Sequence, residues 1–339
     1  MCIRDSTYTK CPWTPSNLTE RFLAIANKYF DRGENRNYVN PLPWSRYEFL
    51  FEDSLPKVIK CRAMATCGIR NLSWRNLDGP YIELKDRKYK VVMRDNQILF
   101  ESSLNELFKI ELTSKPTRAF KSQDFILIEY CDGFLILELK EPLVCRLLVK
   151  EKSLDISFNV LRPKIAFQQP FSATELELKD SLDIISPWIA ISGPKSSLTI
   201  SSKLLNIELE RNTAILKVEE KNWIKIGIDI DYVAQAPWRF SWERSNELIN
   251  TDLSSEISLL EVSPTTVIPI DLGLSDLGLE ITLSTFNHRP HQVRIMSNYI
   301  IQRAWEYSDG FSELKVYGNS ILTTIIPCSF IKIAVEIVK

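Results

Sequence analysis

From about Leu72 to the end of the chain, apolar and polar residues alternate with a period of two. Leu154, Ile156, Phe158 and Val160 interleave with Asp155, Ser157 and Asn159, and Leu205, Ile207 and Leu209 with Asn206, Glu208 and Glu210. The same beat returns at Ile224 to Ile230, at Leu279 to Leu283 and at Ile331 to Ile337. Successive side chains of a strand point to opposite faces, so the pattern predicts antiparallel strands with one buried and one wet face. Between Asp124 and Lys150 the pattern changes. Phe125–Tyr130, Phe134–Leu139 and Leu143–Val149 are apolar on both faces, with Cys131-Asp132-Gly133 and Glu141-Pro142 between them. They predict three consecutive strands in the middle of a packed sheet, the first two joined by a tight hairpin.

About fifteen such runs follow one another, with short polar turns and no regular helix between them, which excludes a parallel βαβ architecture. The expected fold is mainly β: tandem antiparallel β-sandwich domains of immunoglobulin-like type behind a small N-terminal helical region. The helix is expected at Asn17–Phe30, where Leu18, Phe22, Ile25 and Tyr29 share a face, Asn17 and Glu20 suit a capping box, and Gly33 marks the stop. A second short helix is expected over 46–53. Met1 to Ser6 resembles translated vector sequence and is set aside. Prolines near 168–170 and 263–269 suggest sandwich domains at 72–169, 170–264 and 265–339 behind a leading region at 7–71, the last domain expected to be truncated.

Composition, 45% hydrophobic and 25% charged, is that of an ordinary globular protein. No apolar run reaches the roughly 18 residues of a spanning helix, and no signal-peptide pattern is present, so the expectation is a cytoplasmic protein without a membrane partner. The net charge of −1 conceals an asymmetry: residues 54–121 carry fourteen basic and seven acidic side chains. Such a segment can contact a polyanion. Seven cysteines, closest at Cys61 and Cys67, spell no Cys-x-x-Cys, and reduced, buried thiols are expected.

Ten glycines in 339 residues form no G-x-G-x-x-G, no P-loop and no G-x-S-x-G elbow, which excludes the common phosphate cradles and the nucleophile elbow. No cofactor is implied. The two histidines, His288 and His291, flank Pro290 with no neighbouring carboxylate or cysteine, so they read as turn residues rather than metal ligands. No metal site is expected from them.

Two further constellations carry chemistry. Asp124, Asp132 in the turn, and Glu138-Leu139-Lys140 at a strand end resemble the Asp…Glu-x-Lys core of the PD-(D/E)xK nucleases. That resemblance implies a Mg²⁺ site on Asp124 and Glu138, with Lys140 activating water. Glu83-Leu84-Lys85 shows that alternating strands generate the same spelling unaided, and polar residues on a wet face are the plainer reading. The second constellation is aromatic and basic: Trp238, Arg239, Trp242 and Arg244 could stack on a ligand or anchor an interface, or wedge into a core. Lys85, Arg87, Lys88 and Lys90, near Tyr81 and Tyr89, form a comparable basic cluster.

The sequence thus predicts a non-catalytic recognition or scaffolding module, part of a larger protein or complex, with a protein partner. The alternatives are a metal-dependent nuclease using Asp124, Glu138 and Lys140, and a nucleic-acid-binding module acting through 54–121.

Overall fold

The computed structural model describes residues 18–338 apart from 51–54, 80, 86–88, 103–104, 113, 132, 140–143, 150–152, 170–171, 178–180, 195, 211, 218–223, 231–236, 256, 286–288, 308–309 and 328. The chain is mainly β, and the ladders are antiparallel throughout. It divides into two compact units, one containing Ser73–Arg244, the other made of Trp13–Leu72 with Ser245–Lys339. The expected boundary at 169/170 therefore falls inside a unit. Strand Ser153–Asn159 pairs with Thr213–Lys217, and Val144–Val149 with Ile224–Ile230, so ladders cross that point in both directions.

In Ser73–Arg244 one branched sheet of sixteen strands forms, in place of two consecutive immunoglobulin-like sandwiches. Its branch point is the hairpin of Leu182–Ser192 and Ser197–Glu210. One edge of the second strand is shared end to end: Leu198–Ser201 pairs with Ile224–Ile230, and Asn206–Glu210 pairs with Thr213–Lys217. From the first half a wing runs through Val144–Val149, Gly133–Glu138 and Phe125–Tyr130 to Pro116–Lys121; from the second, another runs through Ser153–Asn159, Leu107–Glu111 and Gln97–Ser102 to Tyr89–Arg94 and Ile82–Lys85. The wings share a core, because Ile126, Ile128 and Leu135 of the first lie in the same apolar cluster as Phe100, Phe108 and Ile156 of the second. A register shift between Ser186 and Trp188 bends the shared hairpin where the wings part, as a bulge does.

The three-strand expectation around Asp124–Lys150 matches the ladders. Tyr130 pairs with Gly133 at the hairpin end, and every residue of Phe125–Tyr130 is buried. The alternation over 154–159 is likewise seen as buried Leu154, Ile156 and Phe158 against exposed Asp155 and Asn159.

The second unit joins the two ends of the chain. Helix α1, Leu18–Tyr29, buries Leu18, Phe22, Ile25, Ala26 and Tyr29, the expected face; Asn17, the expected cap, lies outside the described residues. Gly33 is not a helix stop. It sits in strand Asp31–Val39, where a Cβ would come within 3.0 Å of the Ser254 Cβ on the paired strand Ile249–Ser254, so glycine permits the close approach. Arg46–Leu50, expected as helix, is a strand paired with Lys57–Cys61, because cross-strand burial of Phe49 and Val58 outweighs a weak helical pattern.

Cys61 and Cys67 form a disulfide, which corrects the expectation of reduced thiols for this pair. Their Cα atoms are 5.0 Å apart, within bridging range. The fold makes that approach through Asn40, whose amide donates to Trp44 O and Arg62 O, both at 2.8 Å, while its Oδ1 accepts from the Leu42 N–H. The Asn40 N–H also donates to Ala65 O and the Met64 N–H to Leu42 O, so the 61–67 loop is fastened against residues 40–42, with Met64 at positive φ and fully buried. Two further sheets complete the unit: Val267–Ser275, Gly278–Thr285, Phe330–Val338, Ile300–Glu306 and Ser312–Leu314 in one, and Glu261–Ser263, His291–Met296, Ser320–Ile325 and Val316–Tyr317 in the other.

A candidate recognition cleft

Strand periodicity builds the site. In the four-stranded sheet, Val262, Ile295, Ile321 and Val316 stand in one cross-strand row, and the first three are buried. One residue along, the row is Glu261, Met296, Ser320 and Tyr317, and the next outward row contains Arg294 and Leu322. Alternation turns these rows to the opposite face. A cleft of about 210 Å³ lies on that face, lined by the first of these rows, Arg294 and the adjoining loops.

The loop walls are tied to one another. The Ser297 N–H donates to Asn319 O at 3.0 Å, and the Asn298 N–H donates to Ser258 O at 3.2 Å. Tyr317 and Ser320 close a two-residue hairpin with Gly318 at φ 60°, the conformation that glycine supplies at the first position of such a turn. The Ser320 hydroxyl donates to Tyr317 O at 3.0 Å, and Ser297 Oγ accepts from the Tyr299 N–H at 2.9 Å. The cleft is therefore held by backbone rather than by long side chains.

Its amides and charged groups, unlike the Ser297 and Ser320 hydroxyls, are uncommitted. Among the described residues, the Asn298 and Asn319 amides, the Arg294 guanidinium and the Glu261 carboxylate make no side-chain hydrogen bond or ion pair. The Tyr317 ring is 51% exposed and carries the Lys315 ammonium 5.2 Å from its centroid. The site thus offers donors and acceptors on a preformed frame, with one Arg and one Glu balancing in charge.

The residues singled out from sequence fall elsewhere. Asp124 is exposed and Glu138 is buried. Glu138 pairs with Phe125, and the Leu139 N–H bonds Asp124 O, so alternation sends the two carboxylates to opposite faces of the hairpin. Lys140 and Asp132 lie outside the described residues, and no cluster of three or more His, Cys, Asp or Glu able to hold a metal occurs among the described ones. His288 is likewise outside them. His291 is not a turn residue but opens the strand His291–Met296, paired with Ile325, and its ring is held by Arg289 O at 3.1 Å from Nδ1 and by Thr266 Oγ1 at 3.3 Å from Nε2.

Trp238, Arg239, Trp242 and Arg244 lie on helix α2, Pro237–Ser245. Proline at its first position is favourable because no N–H is needed there. Trp238 and Trp242, one turn apart, are 3% and 2% exposed, so they do not form a surface platform. Trp238 meets Trp188 edge-on with centroids 5.7 Å apart, and the Ser241 hydroxyl donates to Pro187 O at 2.8 Å, docking the helix on the bulge of the long hairpin. Arg244 is buried as well.

In the basic segment, Lys90 pairs with Glu83, Lys109 with Glu111, Lys115 with Asp95 and Arg118 with Glu129. The Tyr81 hydroxyl also donates to Glu83 at 2.8 Å, and together with Lys90 it holds the Glu83 carboxyl below its usual range. Lys85 is exposed; Arg87 and Lys88 lie outside the described residues.

The cleft residues were not found from sequence. Their only signal was the Tyr-Gly-Asn-Ser turn of 317–320, and nothing in the sequence alone connects it with Glu261 or Arg294. Compared with known proteins, the chain matches no family model and no curated protein.

Proposed function

We propose that the protein is a non-catalytic recognition module, and that its binding face is the outward side of the four-stranded sheet around Arg294 and Tyr317. The observation that carries this reading is the preformed polar cleft, whose amides and charged groups are uncommitted to partners within the described chain. Such a combination of fixed frame and convergent polar groups is what small binding sites present. In this reading a sandwich-like pair of sheets, with Thr323 of one donating to Glu306 of the other at 2.6 Å, is the scaffold. Pairing of Lys90, Lys109, Lys115 and Arg118 with carboxylates removes part of the positive charge that a polyanion surface at 54–121 would use, and the opposed faces of Asp124 and Glu138 weigh against the nuclease.

No described helix is long and apolar enough to cross a membrane. The disulfide favours an oxidising compartment over the cytoplasm, since disulfides persist chiefly where glutathione does not reduce them.

A thermal-shift screen of the full chain against saccharides, anions, amines and short peptides tests the reading. A compound that raises the melting temperature of the wild type but not of Arg294→Ala or Tyr317→Ala supports it. Compounds that stabilise all three proteins equally, or none that stabilises the wild type, contradict it.

A further inference from the structure

We infer that the cleft takes a neutral saccharide unit, as a free sugar or the end of a glycan chain. The inference rests on the recognition reading above and names its ligand class.

Size comes first. At about 210 Å³ the cleft is smaller than the roughly 300–1,000 Å³ of sites for drug-sized ligands, which suits one ring of a larger molecule. Being open on a sheet face, it leaves the rest of a chain free to extend into solvent.

Charge comes next. Among the described residues that line the cleft, Arg294 and Glu261 carry one charge of each sign, and they balance. An anion would meet the Glu261 carboxylate, and a cation the Arg294 guanidinium. A polyhydroxylated neutral ligand uses both, since a sugar hydroxyl donates to a carboxylate and accepts from a guanidinium.

Hydrogen-bond chemistry agrees. Asn298 and Asn319 each present a donor and an acceptor on one plane, the match for a pair of vicinal hydroxyls that both give and receive. Tyr317 adds an aromatic surface for the C–H face of a sugar ring and a hydroxyl at its rim. Lys315 lies over that ring, 5.2 Å from its centroid, which leaves the other face of the ring for stacking.

The test is saturation-transfer NMR and calorimetry on the full chain with a panel of neutral monosaccharides, with inorganic phosphate and citrate as the anionic arm. The expected result is saccharide binding that weakens about tenfold or more in Asn319→Ala and Tyr317→Ala, a loss typical of a central contact residue. Both positions are exposed, and the melting temperatures of both variants should match the wild type. Binding of phosphate or citrate that is lost in Arg294→Ala, without saccharide binding, overturns the ligand class and leaves the cleft as a binding site. Saccharide binding indifferent to both variants overturns the inference by placing the sugar elsewhere. No response from any probe also overturns it, and the recognition reading is then decided by the wider thermal-shift screen.

Discussion

The carboxylate of Glu106 fills the space that a side chain at Gly193 would need: a Cβ built there would overlap Oε1. The same carboxylate accepts a hydrogen bond from the Ser196 hydroxyl, and both residues are buried. Glu106 immediately precedes the strand Leu107–Glu111 of one wing, whereas Gly193 and Ser196 belong to the turn of the shared hairpin, so the contact fastens the two together.

Burial pushes the Glu106 carboxyl above its usual range. A group that binds its proton more tightly folded than unfolded contributes stability at low pH. That stability is lost as pH rises from the ordinary glutamate range through the raised value. Glu106→Gln is expected to flatten this part of the stability–pH curve and to be neutral or stabilising at pH 7, as measured by urea unfolding between pH 4 and 8. A steeper fall in the variant would contradict the assignment.

Gly193→Ala is expected to cost about 1–3 kcal/mol by overpacking. In a Glu106→Ala background the cost should largely disappear, and a double-mutant cycle measures the coupling. Additive effects would show that the two residues do not compete for space.

Gly278 is constrained differently. Its φ is +119°, and a Cβ there would stand 2.9 Å from the Val335 carbonyl carbon. Gly278→Ala combines a strained backbone with a backbone clash, and a loss of about 2 kcal/mol or more is expected by denaturant unfolding. A loss below about 0.5 kcal/mol, the range of ordinary surface substitutions, would mean that the hairpin shifts freely.

Reduction of Cys61–Cys67 is expected to lower stability by about 2 kcal/mol, the loop-entropy value for so short a closure. Mass spectrometry after alkylation, with and without reductant, should count two additional thiols from this pair. Alkylation of Cys61 and Cys67 without reductant would remove the bridge from the account.

Trp242→Ala is expected to destabilise the protein by about 3–5 kcal/mol, as truncating a buried tryptophan does, while leaving affinity at the cleft unchanged in the folded fraction. A loss of ligand affinity without a loss of stability would return the Trp238–Arg244 segment to the binding surface.

These contrasts show which features the sequence revealed. Period-two alternation located the strands at 154–159, 205–209 and 331–337, because burial on one face of a strand depends on local spacing alone. Helix α1 was legible for the same reason. Helix α2 was not: Trp-Arg-Phe-Ser-Trp repeats an indole at one helical turn, but five residues are too few to separate helix from aromatic cluster. The two units were hidden because the pairing of Asp31–Val39 with Ile249–Ser254 spans more than two hundred residues, a separation no local pattern records. The cleft was hidden likewise, since Glu261, Arg294 and Tyr317 become neighbours only through the register of three ladders. Asp124 and Glu138 show the reverse case: a familiar local spelling whose ladder register, which no spelling records, sends its carboxylates apart.

Recognition at the outward face around Arg294 and Tyr317 requires that a bound ligand protect the strands and turns of that face. Hydrogen exchange of the full chain, with and without a ligand from the thermal-shift screen, tests it most directly. The account predicts added protection in 291–298 and 316–322, absent in Tyr317→Ala. Protection confined to 237–245 or to the strands of Ser73–Arg244 would contradict it.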